Sequence, residues 1–404
     1  MAQEAGSFQL GSLPQWFRAL DGVLAANRHW WQFRPFHHRQ LYWQQSHPGL
    51  CAALEALTDG EVERLAGDIA AASEWFSPWV ADARRLLELV RLPRFDARGL
   101  SCGAHLGYGI PGRKWEQILA FAGCLPPSPE PLLEWCAGKG HLGRLLATCD
   151  QRPVIGLEWQ QRLCREGARL AARSGAELRF VHCDAFAPEA GDWVRSGDDA
   201  VALHACGDLH VELMRHWVRN RGGRLSLSPC CYHLVRGEEF APLSEAAAVA
   251  RVRLSKEDLQ LPLQETVTAG AGVRRLRQTE LHWRLAFDEL QRALRGEDSY
   301  LPVPNVKKRL LSGSFGAFAR WAAGRKGLEL PGELDEEAWL VRGRERLRGV
   351  RRMELVAHLF RRPLELWLVL DRALYLLEQG AEVQLGEFCP RELTPRNILL
   401  QAHW

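Results

Sequence analysis

The chain has 404 residues, 47% of them apolar and 25% charged, with a formal charge of +3; this is the make-up of a globular protein with one large decorated domain or two. So small a net charge does not by itself name nucleic acid as a partner, and no run reaches the roughly 18 uninterrupted apolar residues of a membrane span. Eleven irregularly spaced cysteines in a chain long enough to build its own core read as reduced thiols, not a disulfide framework. Residues 1–20 contain Glu4 and no basic flank before an apolar core, so no signal peptide is evident and a cytoplasmic location is expected.

Residues 13–100 read as helical and aromatic. Trp16, Phe17, Trp30, Trp31, Phe33, Phe36, Tyr42 and Trp43 lie among Arg28, Arg34, His37, His38 and Arg39. Such a mixture can stack bases and hold phosphates, but the simpler reading is the core of a helical subdomain. Residues 59–89 repeat apolar positions at helical spacing and stop near Pro93. A Pro/Gly turn at 109–112 then leads into a helix with Arg113 and Lys114 in its first turn. Cations there oppose the helix dipole, which makes both residues candidates for substrate contact.

The centre of the sequence is Leu132-Leu133-Glu134-Trp135-Cys136-Ala137-Gly138-Lys139-Gly140-His141-Leu142-Gly143, followed by Val154-Ile155-Gly156-Leu157-Glu158-Trp159. An apolar run, a glycine turn, helical spacing and a second run ending in an acid predict strand, turn, helix and strand. Gly138 and Gly140 allow a sharp turn and close approach of a ligand to the main chain. Glu158 stands where a carboxylate can accept both hydroxyls of a ribose, so this half-unit suits any ribose-bearing ligand.

Further strands are predicted at 177–186, 199–208 and 223–233, with a helix over 163–172. The alternation implies a parallel sheet, and ligands of such sheets bind beyond the strands' carboxyl ends. Gly138, Glu158, Asp184, His204 to Asp208 and Ser228 to His233 all fall at such ends and would face one crevice.

Residues 241–350 break the alternation. A helix is predicted over 281–294, an extended linker over 300–304 and a basic helix from Lys307. Arginines at 342, 344, 346, 348, 351, 352, 361 and 362 make either a solvated face or a phosphate-binding one. An apolar helix over 364–377 capped near Gly380 and a last strand over 398–402 would return to the sheet. The predicted organisation is a helical region over 1–100, an α/β domain over 101–240 plus 363–404, and a mainly helical basic insertion over 241–362.

Glu134-Trp135-Cys136-Ala137-Gly138-Lys139-Gly140-His141-Leu142, Leu203-His204-Ala205-Cys206-Gly207-Asp208 and Ser228-Pro229-Cys230-Cys231-Tyr232-His233 resemble the S-adenosylmethionine-dependent methyltransferases of the methyltransferase-like-25 type, also described as ribosomal RNA adenine dimethylase domain-containing proteins. The resemblance extends to Arg113-Lys114-Trp115-Glu116, Leu370-Asp371-Arg372 and Leu393-Thr394-Pro395-Arg396-Asn397, and covers about residues 109–235 and 363–404. It implies a Rossmann-like class I methyltransferase fold and RNA, tRNA or rRNA, as partner, methylated on a nitrogen or a ribose oxygen. The tRNA 2′-O-methyltransferases of the acceptor stem share the Gly-Lys-Gly and His-Ala-Cys-Gly core, but this chain has Ser-Pro-Cys-Cys-Tyr-His and no obvious CxxC zinc finger. A protein or small-molecule acceptor and a non-catalytic binding module are the alternatives, and the oligomeric state is not implied.

On this reading Glu134 and the backbone of Cys136, Gly138, Lys139 and Gly140 hold the methionyl part, Glu158 holds the ribose, and Asp184, Ala185 and Phe186 meet the adenine. His141, His204 and Cys206 line the same site. An acid and an aromatic after the third strand suit one adenine better than a dinucleotide, which also needs its pyrophosphate cradled. Asp208, Cys230, Cys231, Tyr232 and His233 are the catalytic candidates, with Tyr232 stacking on the acceptor and His233 a possible base. Pro229-Cys230 also suits a thiolate nucleophile for a pyrimidine, though that motif usually ends the fourth strand and here it ends the fifth. Cys206, Cys230, Cys231 and His233 offer zinc donors, but adjacent cysteines rarely ligate one ion without strain, so no metal is expected.

Overall fold

The computed structural model describes residues 12–101, 103–264 and 271–404; the stretch read for a signal peptide lies outside them up to Gly11. Seven strands form one sheet: β1 Leu132–Trp135, β2 Val154–Glu158, β3 Leu178–His182, β4 Asp199–Cys206, β5 Leu225–Cys230, β6 Glu382–Glu387 and β7 Ile398–His403. Their order is β3-β2-β1-β4-β5-β7-β6, with β1 to β5 parallel and β7 antiparallel to both neighbours. β1 is buried at all four positions, as a central parallel strand covered on both faces must be. The chain moves outward from β1 to β3 and then returns to place β4 on the other side of β1. That reversal opens a crevice beyond the carboxyl ends of β1 and β4.

Five predicted strands and the returning last strand are present, and the α/β class with a parallel-rich sheet is the observed fold. β6 was not predicted. Its sequence, Glu-Val-Gln-Leu-Gly-Glu, has acids at both ends and a mostly exposed first half, so an edge strand leaves little apolar alternation to read.

Packing divides the described residues into two compact units, one of 12–26, 88–264 and 361–404 and the other of 27–87 and 271–360. The predicted boundary at 362 lies next to the division between 360 and 361, while those at 100 and 240 do not follow it. Helix Leu13–Ala26 belongs to the sheet unit because its buried Asp21 accepts the N–H groups of Arg251 (2.9 Å) and Val252 (3.0 Å) and the indole N–H of Trp367 (3.2 Å). Asp371, on helix Arg361–Glu378, likewise accepts the N–H groups of Leu243 and Ser244. Two buried carboxylates therefore fix irregular chain where no ladder satisfies its amides.

The second unit is helical. Helices Ala271–Arg295 and Glu336–His358 contribute to it, and Trp283, Phe287, Phe315 and Phe318 fill a core cluster. Its chemistry narrows the two readings of the arginine series. Arg346 is buried against Asp288 and Glu289, Arg352 is buried and donates to the carbonyls of Leu54 and Leu57, and Arg362, in the sheet unit, is buried between Glu365 and Glu387. Those three arginines serve packing and present no face to phosphate. The aromatics of 13–43 are likewise mostly core, with Trp16, Phe17, Trp30, Trp31, Phe33 and Trp43 all buried.

Replacing Asp21 removes the acceptor of two buried donors and one half-buried one. Asp21→Ala is expected to destabilise the sheet unit by about 2–5 kcal/mol in urea unfolding. A loss below about 0.5 kcal/mol, the range of an ordinary surface change, would show that the carboxylate is dispensable.

Candidate functional site

The glycine turn is built from left-handed backbone. Cys136, Gly138 and Gly140 have φ of 57°, 60° and 64°, which reverses the chain between β1 and helix His141–Asp150. A Cβ on Gly140 would lie 2.6 Å from the Phe180 ring, and one on Gly143 would lie 2.5 Å from Glu134 Oε2. A Cβ on Gly138 would meet nothing within 4 Å, so space opens above this peptide.

Two buried acids brace the turn. Glu158 Oε2 accepts the N–H of Gly138 at 2.9 Å and Oε1 accepts that of Gln160 at 2.8 Å, which ties the end of β2 to the turn after β1. Glu134 accepts the N–H of Gly143 at 2.9 Å, and burial pushes its carboxyl up to about 8. His141 opens the following helix; its Nδ1 is buried without a hydrogen-bond partner, and burial lowers the imidazole to about 4 with help from Lys114, Arg144 and Lys139. The charge of Lys114 also bears on Glu134, so the start of helix Gly112–Gly123 stands by the turn. Arg113 and Lys114 are both exposed.

Pairing and burial place three further side chains, and that of Tyr232 departs from expectation. The Lys139 ammonium is held 2.7 Å from Glu166 on the next helix, so only its backbone belongs to the turn. Ala185 is buried. Tyr232 is 1% exposed, its hydroxyl donating to Pro229 O and to Glu365, so its ring is interior and has no free face for an acceptor base. The apolar setting that makes tyrosine a good stacking partner has here drawn it into the core.

Asp184 is exposed and caps its own turn by accepting the N–H of Phe186 at 3.0 Å. A cavity of about 710 Å³ borders it, lined also by Trp159, His182, Cys183 and Trp193, and reaches none of the glycine turn. Two residues unassigned in the sequence reading belong here. Trp159, directly after Glu158, is 66% exposed, and Arg236 sets its guanidinium 5.0 Å from the Phe186 ring. The adjacency of Trp159 to the acid at 158 was a readable signal; Arg236 follows no motif.

The ends of β4 and β5 are locked together. Gly207 has φ 56° and lies so close to Leu234 that a Cβ would stand 2.0 Å from its carbonyl oxygen. Gly207 N–H donates to Cys230 O, Asp208 N–H to Leu234 O, and Arg236 N–H to Asp208 Oδ2. His204 (φ 72°) and Cys231 (φ 49°) are left-handed non-glycine residues, as is Cys136. The other two such residues described, Gln151 and Arg221, cap helices, so the unexplained strain is confined to the carboxyl rim of the sheet. Cys206, Cys230 and Cys231 meet there. Hydrogen bonds with Cys206 and Cys230 hold the Cys231 thiol well below its usual range, and the corresponding bonds raise Cys230. His233 Nδ1 is buried without a hydrogen-bond partner.

Two outcomes test this geometry. The Glu134 carboxyl is neutral in the folded protein below about pH 8 and in the unfolded chain only below about 4.5, so the folded state binds the extra proton and stability falls as pH rises between them. Glu134→Gln should flatten that fall, and an unchanged stability–pH curve would contradict the burial argument. Gly207→Ala should cost at least about 1–3 kcal/mol in thermal unfolding from its backbone alone; a melting temperature equal to that of the parent would show that the rim is not locked.

Residues 113–238 match a family model described as a methyltransferase domain. Solved structures similar to the chain include an rRNA methylase from Streptococcus thermophilus, at 14% identity over 30% of this chain and 72% of that one, with a TM-score of 0.23. Precorrin-6y C5,15-methyltransferase from Geobacter metallireducens GS-15 matches at 14% identity over 32% and 65%, with a TM-score of 0.24. Coclaurine N-methyltransferase matches at 12% identity over 75% and 92%, with a TM-score of 0.25. Scores this low decide nothing about substrate. No helix among the described residues is long and apolar enough to cross a membrane. Residues 113–238, on a Rossmann-like class I sheet, are an S-adenosylmethionine-dependent methyltransferase domain.

Proposed function

We propose that this enzyme belongs with the methyltransferase-like-25 type and methylates RNA, tRNA or rRNA, on a nitrogen or ribose oxygen. The observation that carries the RNA reading is a pair of exposed aromatic rings. Tyr108 (76% exposed) and Trp159 (66%) are the most exposed large aromatics among the described residues, and they flank the motif region in sequence, beside the exposed Arg113 and Lys114. Exposed rings next to cations are what unpaired bases and their phosphates require. The arginines of helix Glu336–His358 support it less, since Arg346 and Arg352 are internal and Arg344 pairs with Glu337.

The cofactor supplies an activated methyl group, and this chain's task is to bind and align. The residues suit it: the open face of Gly138 leaves room against the main chain, Glu158 is a buried carboxylate pre-set by two N–H donors, and His141 holds an unpartnered Nδ1. Glu158 would take the ribose hydroxyls, Glu134 and the turn's backbone the methionyl end, and Asp184 with Phe186 the adenine. Asp208 and His233 would stand at the acceptor, with His233 the proton acceptor.

Calorimetric titration with S-adenosylhomocysteine should show binding that Glu158→Ala weakens by about 1.5–3 kcal/mol, the value of hydrogen bonds to a charged group; tight NADH binding with no response to the homocysteine product would sink the cofactor assignment. In gel shifts with bulk tRNA and rRNA, Tyr108→Ala should lose about 1–3 kcal/mol of affinity, and Arg113→Ala should lower the salt slope by about one. Absence of RNA binding at low salt would transfer the activity to a protein or small-molecule acceptor.

A further inference from the structure

Cys206 ends β4, Cys230 ends β5 and Cys231 follows it, and their three sulfurs lie within 4.8 Å of one another. The Cys206 and Cys230 sulfurs are 3.5 Å apart, and all three residues are free thiols. An ion that binds thiolates tetrahedrally at about 2.3 Å sets its sulfurs roughly 3.8 Å apart. The thiols already stand near that spacing.

The adjacency of Cys230 and Cys231 argued against a shared ion, because successive side chains of extended backbone point to opposite sides. The backbone removes the objection. Cys231 turns into the left-handed region at φ 49°, a conformation that a non-glycine residue holds only when its surroundings impose it. The imposing contacts are the Leu234 N–H to Cys231 O bond at 2.9 Å and the Gly207 N–H to Cys230 O bond at 3.0 Å. Two strand ends and one strained residue thus bring three soft donors to a point.

We propose that Cys206, Cys230 and Cys231 form a binding site for one zinc ion. Binding makes three Zn–S bonds and displaces whatever protons the three sulfurs still carry, and no electron is transferred. Three thiolates leave a fourth tetrahedral position for water or another non-thiol donor, the open arrangement of a site that does more than hold the fold.

The test uses the full-length protein, freed of metal, kept reduced and titrated anaerobically with Co²⁺. One Co²⁺ per chain should bind with the sulfur-to-cobalt charge-transfer absorption of three thiolates, and one equivalent of Zn²⁺ should bleach it with affinity rising as pH rises. Cys206→Ser, Cys230→Ser and Cys231→Ser should each weaken binding by more than the roughly 10–100-fold that loss of an outer-shell partner costs, while Cys149→Ala should leave it unchanged. No charge-transfer absorption in the reduced parent protein, or absorption that survives all three serine substitutions, would overturn the proposal. The parent titration needs no variant, so a serine substitution that failed to fold would not leave it undecided.

Discussion

The candidate site depends on one crowded crossing, where the backbone at Gly207 passes under the Leu234 carbonyl with no room for a side chain. Because that approach is so close, the chain after β5 cannot lift away from the chain after β4. Two backbone bonds follow from it, Gly207 to Cys230 and Asp208 to Leu234, and the Asp208 carboxylate accepts the Arg236 N–H beside them. They carry His233 and Arg236 to the rim and force Cys231 out of extended geometry. Glu158 performs the same service on the other side of the crevice, joining β2 to the glycine turn through one carboxylate. The rim is held by main-chain contacts and by carboxylates that accept main-chain N–H groups.

Buried acids recur as the means of holding irregular backbone. Asp21, Asp371 and Glu158 each accept two or more N–H groups that no sheet or helix satisfies. Glu134 has a single hydrogen-bond donor to set against its full burial, and its carboxyl is pushed up to about 8. It is therefore poised to respond when a cation arrives beside the turn.

Much of the sheet was legible because parallel strands buried on both faces read as apolar runs, and the glycines and acids that end them are residue types with few other uses. Glu158 ends β2 and Gly138 lies in the turn after β1, as their spacing implied. What escaped was decided by distant partners. β6 is an edge strand whose solvent-facing half hides its period. Tyr232 looked available beside a motif, yet Glu365, 133 residues away, receives its hydroxyl in the core. Arg346 and Arg352 read as part of either a solvated or a phosphate-binding face, and nothing local reveals that Asp288, Glu289 and the carbonyls of Leu54 and Leu57 occupy them.

The pairing of β5 with β7 has a consequence for how the chain acquires its structure. Ser228 bonds to the carbonyl of Arg396, 168 residues later, and β5 finds its outer neighbour only in Ile398–His403. Until that segment has been synthesised, one edge of β5 keeps its amides and carbonyls unpaired, a surface open to wrong strands from other chains. Contacts this far apart in sequence also close slowly. The nascent sheet must therefore wait, unsealed on one side, while the intervening helical unit is made, and that interval is when the protein has most need of chaperone protection.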